Sequence, residues 1–310
     1  MKFAFVFPGQ GSQSVGMMHA YGDAAVVRST FDEASAALGR DLWQLAAEGP
    51  AEALSQTVNT QPLMLTAGVA VWRLWQERGG PMPAMVAGHS LGEYSALVAA
   101  GVVDLKDAVP LVELRARAMQ EAVPAGEGAM AAILGMDVET IKAVCVDAAQ
   151  GQVVQAVNFN APEQTVIAGH AAAVQRAADA CKAQGAKRAV LLPVSAPFHC
   201  SLMQPAADKL EQRLAALDLR GPIIPVLNNV DVVMEHESAR IKDALVRQAA
   251  APVRWVEIMR AMQAAGISHV FECGPGKVLS GVTRRCADGL AGAAINDLAG
   301  LEAALITVRD

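Results

Sequence analysis

Apolar positions along the chain alternate between short continuous runs and stripes at helical spacing. The first run, Phe3-Ala4-Phe5-Val6-Phe7, predicts the opening strand; it stops at Pro8-Gly9 and enters a glycine-rich turn, Gly9-Gln10-Gly11-Ser12-Gln13. Helical stretches follow at 23–39, 41–48 and 60–78, the last begun by Asn59-Thr60-Gln61-Pro62 with proline in a first turn. A second short run, Ala84-Met85-Val86-Ala87, reads as a buried strand. It meets Gly88-His89-Ser90-Leu91-Gly92 and then a helix ending at Gly101, and another helix is expected over 104–122.

The middle of the chain changes character. Residues 127–135 read as a strand, 137–148 as a helix, 153–158 and 164–169 as strands, 170–184 as a helix and 187–192 as a strand. That βαββαβ order is the ferredoxin-like split pattern. Pro124-Ala125-Gly126 bounds it on one side and Pro193 to Pro197 on the other. The expected class is therefore α/β, with a core formed by 1–124 and 197–310 and a ferredoxin-like subdomain, 125–196, inserted in it. Beyond the insert the pattern predicts a helix at 202–216, a strand near 223–227, helices at 238–250 and 254–265, a strand at 268–272 and two more helices.

Composition narrows the function classes. With 310 residues, 53% of them hydrophobic, the chain can bury one large core or a core with an insert. No uncharged apolar run approaches the length that spans a bilayer. The opening apolar stretch ends too early for a signal peptide and no small-residue cleavage site follows, so a cytoplasmic protein is expected. Cys145, Cys181, Cys200, Cys273 and Cys286 are odd in number and contain no C-x-x-C pair, which fits a reducing compartment and argues against a disulfide framework or a zinc site. A net charge of −6 argues against nucleic acid as a partner.

Three residues carry candidate chemistry. Gly88-His89-Ser90-Leu91-Gly92 is a G-x-S-x-G sequence between a strand and a helix, the context a nucleophilic serine needs on a sharp turn. The Leu91 N–H and the helix start would face an oxyanion on the substrate. The competing reading is a chance match of common residues. A base must come from elsewhere in the fold. Of the six histidines, His89 adjoins the serine and should leave the turn in another direction, and His19, His170 and His236 read as solvated surface. His199 lies in a loop, Pro197-Phe198-His199-Cys200, before a helix marked by the capping-box spacing of Ser201 and Gln204. Arg115 interrupts the stripe of Ala108, Leu111, Val112, Ala118, Met119 and Ala122, while Glu113, Arg117 and Glu121 lie on the other side and can pair among themselves. A buried guanidinium needs an anion, either from a distant carboxylate or from a ligand; a planar ligand carboxylate suits it well. Two tempting motifs fail: Ser14 stands where a dinucleotide fingerprint needs glycine, and Phe271 and Val278 break a phosphate-binding loop around Gly276-Lys277. No cofactor or metal site is expected.

Taken together, Phe7-Pro8-Gly9-Gln10-Gly11-Ser12-Gln13, Thr60-Gln61-Pro62, Gly88-His89-Ser90-Leu91-Gly92-Glu93, Leu114-Arg115, Pro197-Phe198-His199 and Pro252-Val253-Arg254-Trp255 resemble the malonyl-CoA:acyl-carrier-protein transacylases. These belong to the acyltransferase family of fatty-acid and polyketide synthesis. The resemblance runs from the first strand to about Gly281 in the family's order. It implies an α/β-hydrolase-like core with a parallel sheet and a ferredoxin-like insert. It further implies transfer of malonyl from the CoA thioester to acyl carrier protein by way of a malonyl-serine ester. Ser90 would be the nucleophile, His199 the base and then the acid, and Arg115 the grip on the malonyl carboxylate. Backbone N–H groups of Gln10 and Leu91 would form the oxyanion hole, and the Gln248 carbonyl would orient His199. Gln61 and Asn160 match positions lining the site, and Phe198 resembles malonyl-selective members. The family often has Gln-Leu and then Asn-Pro or Ser-Pro where this chain has Gln248-Ala249 and Ala251-Pro252.

Two other readings remain open at this point. An esterase or thioesterase would share the serine turn and want an acidic third member between Ser90 and His199; the acidic residues there fall in helices or in the insert. A non-catalytic carrier-binding module would leave the three residues without a use. Lys187-Arg188 and Arg284-Arg285 are basic pairs that could meet an acidic carrier or could simply be solvated.

Overall fold

The computed structural model describes residues 1–309. In chain order the first half contains β1 (Phe3–Phe7), α1 (Ala25–Leu38), α2 (Leu42–Glu48), α3 (Ala51–Leu54), α4 (Thr57–Glu77), β2 (Met85–Gly88), α5 (Gly92–Ala99), α6 (Leu105–Glu121), β3 (Gly128–Leu134) and α7 (Val138–Ala149). The second half contains β4 (Val154–Ala161), β5 (Gln164–His170), α8 (Ala171–Ala183), β6 (Arg188–Leu191), α9 (Gln204–Ala215), β7 (Val226–Leu227), α10 (Ser238–Ala249), α11 (Trp255–Ala264), β8 (His269–Cys273), α12 (Val278–Cys286), β9 (Ala291–Ile295) and α13 (Leu298–Arg309).

The strands form two separate sheets, one parallel and one antiparallel, so the chain is mixed α/β. The parallel sheet has the order β7-β2-β1-β8-β9. A parallel sheet must be covered on both faces, and the continuous apolar run of β1 supplies both. Phe3, Phe5 and Phe7 point into the larger cluster, where Phe5 meets Trp75 of α4 at 4.9 Å between ring centroids and 77° between planes. Ala4 and Val6 point the other way, onto Trp255, Ile258 and Met259 of α11 and Leu279 of α12. The antiparallel sheet has the order β4-β5-β3-β6, and its strands and helices follow one another as βαββαβ. Alternation along β3 splits its side chains: Ala131 and Ile133 pack with α7 and α8, while Met130 faces the larger cluster.

Several elements differ from the pattern. The helix expected from residue 60 begins at Thr57, so Pro62 lies inside it instead of in its first turn. Thr57, Asn59, Thr60 and Gln61 are buried although polar, and this hid the true start. Pro62 cannot donate to the Val58 carbonyl, and the Arg40 guanidinium does so instead at 3.2 Å. The strand near 223–227 shrinks to Val226–Leu227, because Pro222 and Pro225 have no N–H to give to a ladder. One of the two closing helices is preceded by a missed strand, β9, whose Ala-Gly-Ala-Ala-Ile sequence has little intrinsic strand preference; parallel pairing with β8 imposes it. The capping box at 201–204 does not form. Ser201 opens a short 3₁₀ turn and gives its N–H to Gln155 Oε1 at 2.7 Å, while the Gln204 amide turns to Asp208. On α6, Glu113 and Arg117 approach at 4.0 Å, but Glu121 pairs with Lys209 instead.

Trp75, fully buried at the junction of β1 and α4, makes no use of charge. Trp75→Ala is expected to lower stability by about 3–5 kcal/mol, as truncation of a packed aromatic core residue does. Chemical denaturation followed by circular dichroism measures this, and an unchanged midpoint would contradict the packing described.

Candidate active site

The parallel sheet delivers Ser90 at the end of β2. The backbone turns from strand to helix within four residues, and Ser90 takes a left-handed conformation with φ 53. Two glycines permit that turn: a Cβ on Gly88 would lie 1.8 Å from the Gly92 carbonyl carbon, and one on Gly92 would lie 2.1 Å from the Phe7 carbonyl oxygen. Asn229, just after β7, clamps the bend. Its Oδ1 accepts the Ser90 N–H at 2.7 Å and its Nδ2 donates to the Gly88 carbonyl at 2.7 Å.

His199 reaches the serine from the loop before α9, also in a left-handed conformation (φ 66). Its Nε2 lies 2.7 Å from Ser90 Oγ, and its Nδ1 lies 2.9 Å from the Gln248 backbone oxygen. A carbonyl only accepts, so Nδ1 carries the proton and Nε2 presents a lone pair to the serine hydroxyl. The Gln248 carbonyl is free for this because it belongs to the last turn of α10, where no intrahelical donor remains. Burial, with the Arg115 charge adding to it, pushes the imidazole down to about 3, so the ring stays neutral.

Arg115 is buried on the inner face of α6 with 1% of its surface exposed. Nη1 donates to Gln61 Oε1 at 2.8 Å; Nη2 donates to Ser90 Oγ at 3.0 Å and to Gln248 Oε1 at 2.9 Å. Tyr94 lies beneath the guanidinium, 5.4 Å from its centre. Every one of these hydrogen-bond acceptors is neutral, and Nε is buried with no partner. Among the described residues no carboxylate forms an ion pair with it. Glu93, at the start of α5, is the nearby carboxyl group, reached only through Gln248, whose Nε2 donates to Glu93 Oε2 at 2.9 Å. Burial raises this carboxyl to about 7, against the lowering by Gln248, Asn229 and Arg115.

Ser90, His199 and Arg115 line one cavity of about 130 Å³ together with Gln10, Gln61, Leu91 and Phe198. Among the described residues neither the Gln10 nor the Leu91 N–H has a protein acceptor. Met130, Leu192 and Val194 wall the cavity from the antiparallel-sheet side. Asn160 is not in this wall. It binds the His89 ring at 2.8 Å and lines an adjoining cavity that shares Gln10, His89, Asn158 and Leu192 with the first. His89 thus leaves the turn away from the serine, its ring tilted 55° to that of Trp255 with centroids 5.4 Å apart. His170 is not solvated surface: its Nδ1 accepts the Val153 N–H at 2.9 Å. Arg285 donates to Gln164, a residue of the adjoining cavity, and Lys187 lies 3.7 Å from Glu163. All five cysteines are free and buried, and among the described residues no group of three or more His, Cys, Asp or Glu could hold a metal ion.

Sequence reasoning missed Asn229, Asn158 and the part played by Glu93. An Asn-Asn pair directly after a short apolar run was the available signal for Asn229, since asparagine is adapted to binding backbone groups at turns.

Comparison with known proteins gives the family. Residues 4–300 match the acyl transferase domain. The malonyl CoA-acyl carrier protein transacylase of Salmonella typhimurium strain LT2 is 58% identical over 305 residues, covering 98% of this chain and 99% of the relative. The crystal structure of the acyl-carrier-protein S-malonyltransferase of Burkholderia pseudomallei 1710b is 59% identical, with a TM-score of 0.97 over 99% of this chain and 100% of that one. A structure of a type II polyketide-synthase acyl-carrier protein in complex with its malonyl-transacylase matches with 55% identity and a TM-score of 0.98, over 99% of this chain and 100% of that one. The chain belongs to the acyl transferase domain family and, within it, to the malonyl CoA-acyl carrier protein transacylases.

Proposed function

We propose that the chain moves a malonyl group from malonyl-CoA to the pantetheine thiol of acyl carrier protein through a malonyl ester on Ser90. The observation that carries this reading is the position of Ser90 Oγ, 2.7 Å from His199 Nε2 and 3.0 Å from Arg115 Nη2 in one cavity. The cycle is ping-pong. His199 takes the serine proton as Oγ attacks the thioester carbonyl, and the Gln10 and Leu91 N–H groups hold the oxyanion. The tetrahedral intermediate collapses with loss of the CoA thiolate, which takes the proton from His199. The carrier's thiol then gives its proton to His199, attacks the ester and releases Ser90 by the same path in reverse. Arg115 receives the malonyl carboxylate, replacing neutral acceptors with the anion that its buried charge lacks. Acetyl brings no anion and leaves that charge unanswered.

The hydrolase reading wants a carboxylate behind the histidine, and a backbone carbonyl occupies that place. Transfer to a thiol is therefore the better account. The carrier would enter past the adjoining cavity, near the Arg284-Arg285 pair. No cofactor is needed for this chemistry, and the unpaired cysteines suit a cytosolic enzyme. We also take the antiparallel sheet with its two helices, within residues 125–196, as a ferredoxin-like subdomain set in a hydrolase-like core formed by 1–124 and 197–310. The strand order β4-β5-β3-β6 and the separate cluster under α7 and α8 support that division.

Three outcomes test the proposal. Brief exposure to malonyl-CoA followed by intact mass measurement should show one malonyl adduct on the protein and none on Ser90→Ala; an adduct surviving the substitution removes the nucleophile assignment. Arg115→Ala should slow malonyl transfer about a hundredfold or more while changing acetyl transfer by no more than about fivefold, on the scale of a lost charged hydrogen-bond pair. Equal losses would make the arginine structural. Because burial holds the His199 ring far below its ordinary value, its NMR signals, assigned by their absence in His199→Asn, should stay at neutral positions from pH 8 down to about pH 5. A midpoint near 6.5 would contradict the neutral resting base.

A further inference from the structure

Gln248 is the side chain on which the site's groups converge. Its Oε1 accepts from Arg115 at 2.9 Å, while its Nε2 donates to the Ser90 carbonyl at 2.9 Å and to Glu93 Oε2 at 2.9 Å. The two ends of an amide have nearly the same size and shape, so neighbours alone decide which end faces which way. A flipped Gln248 would set its NH₂ against the guanidinium, donor against donor, and would leave a buried carboxylate facing an oxygen. Glu93 is itself fixed: it is 2% exposed, and Oε2 also accepts the Asn229 N–H at 3.0 Å. It does not line the cavity and so does not meet the acyl group.

We propose that Glu93 is a specificity-positioning residue, whose buried carboxylate locks the Gln248 amide with its oxygen on Arg115 and so holds the guanidinium in the attitude that receives the substrate's carboxylate. This rests on the reading that Arg115 binds that carboxylate, and deepens it. The arrangement also explains why the carboxyl group nearest the arginine stands one residue removed. A carboxylate in direct contact would occupy the N–H groups that the substrate needs and would answer the charge in advance. Behind a neutral amide, Glu93 offsets part of the charge without occupying any of the guanidinium's own N–H groups. The Ser90 carbonyl favours the same amide orientation, but it is a weaker acceptor than a carboxylate, and losing the stronger of the two allows the flip. Acetyl brings no carboxylate, so its rate reports on folding and on Ser90 and His199 with their contacts to Arg115 and Gln248. The malonyl-to-acetyl ratio isolates the share that belongs to the carboxylate.

The test compares rates of acyl-enzyme formation from malonyl-CoA and from acetyl-CoA in the full-length protein, read by quenched intact mass. Glu93→Leu, which removes the acceptor, is expected to lower the malonyl-to-acetyl ratio about tenfold, the scale of one mispaired buried polar group. Glu93→Gln, which can still offer an oxygen to Gln248 Nε2, is expected to restore the ratio to within about threefold. Arg115→Ala is run beside them. If it lowers the ratio while Glu93→Leu leaves it unchanged, or slows both substrates equally, the positioning role is overturned and the arginine's role stands. A Glu93→Gln variant as impaired as Glu93→Leu would also overturn it, because charge and not acceptor geometry would then be at work. If Arg115→Ala itself slows both substrates equally, the carboxylate-binding reading falls, and this inference with it. Should Glu93→Leu not fold, Glu93→Asp, which withdraws the carboxylate by one methylene, takes its place with the same opposed outcomes.

Discussion

A guanidinium buried without an ion-pair partner is the constraint around which the rest of this structure is arranged. Removing such a group from water costs several kcal/mol unless its N–H groups are met. Here Nη1 and Nη2 are met by oxygens from three separate parts of the chain, Gln61 on α4, Ser90 on the turn after β2, and Gln248 on α10, while Nε is left without a partner. Those elements are far apart in sequence, and the Gln248 amide ties α10 to the serine turn a second time through the Ser90 carbonyl. Arg115 thus fixes the relative placement of two core helices and the serine turn. Gln248 extends the same linkage to His199 through its backbone, so Ser90, His199 and the cation share one residue as a common support.

The same place also holds backbone strain. Ser90 and His199, the two groups that approach each other most closely, are both held in left-handed conformations that non-glycine residues rarely adopt. Neither would persist without over-determination by its surroundings. For Ser90 the restraint comes from Asn229, which takes its N–H, and from glycines that let the turn pack directly against β1. For His199 it comes from the Gln248 carbonyl behind the ring. Burial then acts in opposite senses on neighbouring groups. It depresses the imidazole and raises the Glu93 carboxyl, the charge of Arg115 lowering both. The outcome at neutral pH is an uncharged imidazole lone pair aimed at a hydroxyl beside a cation that cannot lose its proton.

The sequence made much of this legible, for definite reasons. The strand–turn–helix around Ser90 could be read because glycine at 88 and 92 is required by contacts a Cβ would destroy. Arg115 could be read because one charge in an apolar helical stripe violates periodicity. His199 could be singled out only as a histidine in a loop, since its partner is distant in the chain. What could not be read depends on tertiary pairing. The strand β9 has no local preference and exists because β8 lies beside it. The start of α4 is hidden because its first turn buries polar side chains, one of which meets the Arg40 guanidinium. The capping spacing at Ser201 looked local but was diverted by Gln155 from the other sheet. The role of Asn229 required knowing that β7 runs next to β2.

The antiparallel sheet solves a problem the parallel sheet creates. A parallel sheet is covered on both faces, so its open ends are where a substrate can approach, and the serine turn stands at such an end, bare on one side. Closing that side needs an apolar wall that is itself supported. Period-two alternation provides this within single strands: in β3, Ala131 and Ile133 bury themselves under α7 and α8, while Met130 turns to the cavity over Ser90. Leu192 and Val194, following β6, complete that wall. A helix in the same position would offer one stripe and would have to choose between supporting itself and facing the serine. A sheet with its own helices behind it does both, and this is the physical reason for the βαββαβ segment to stand where it does.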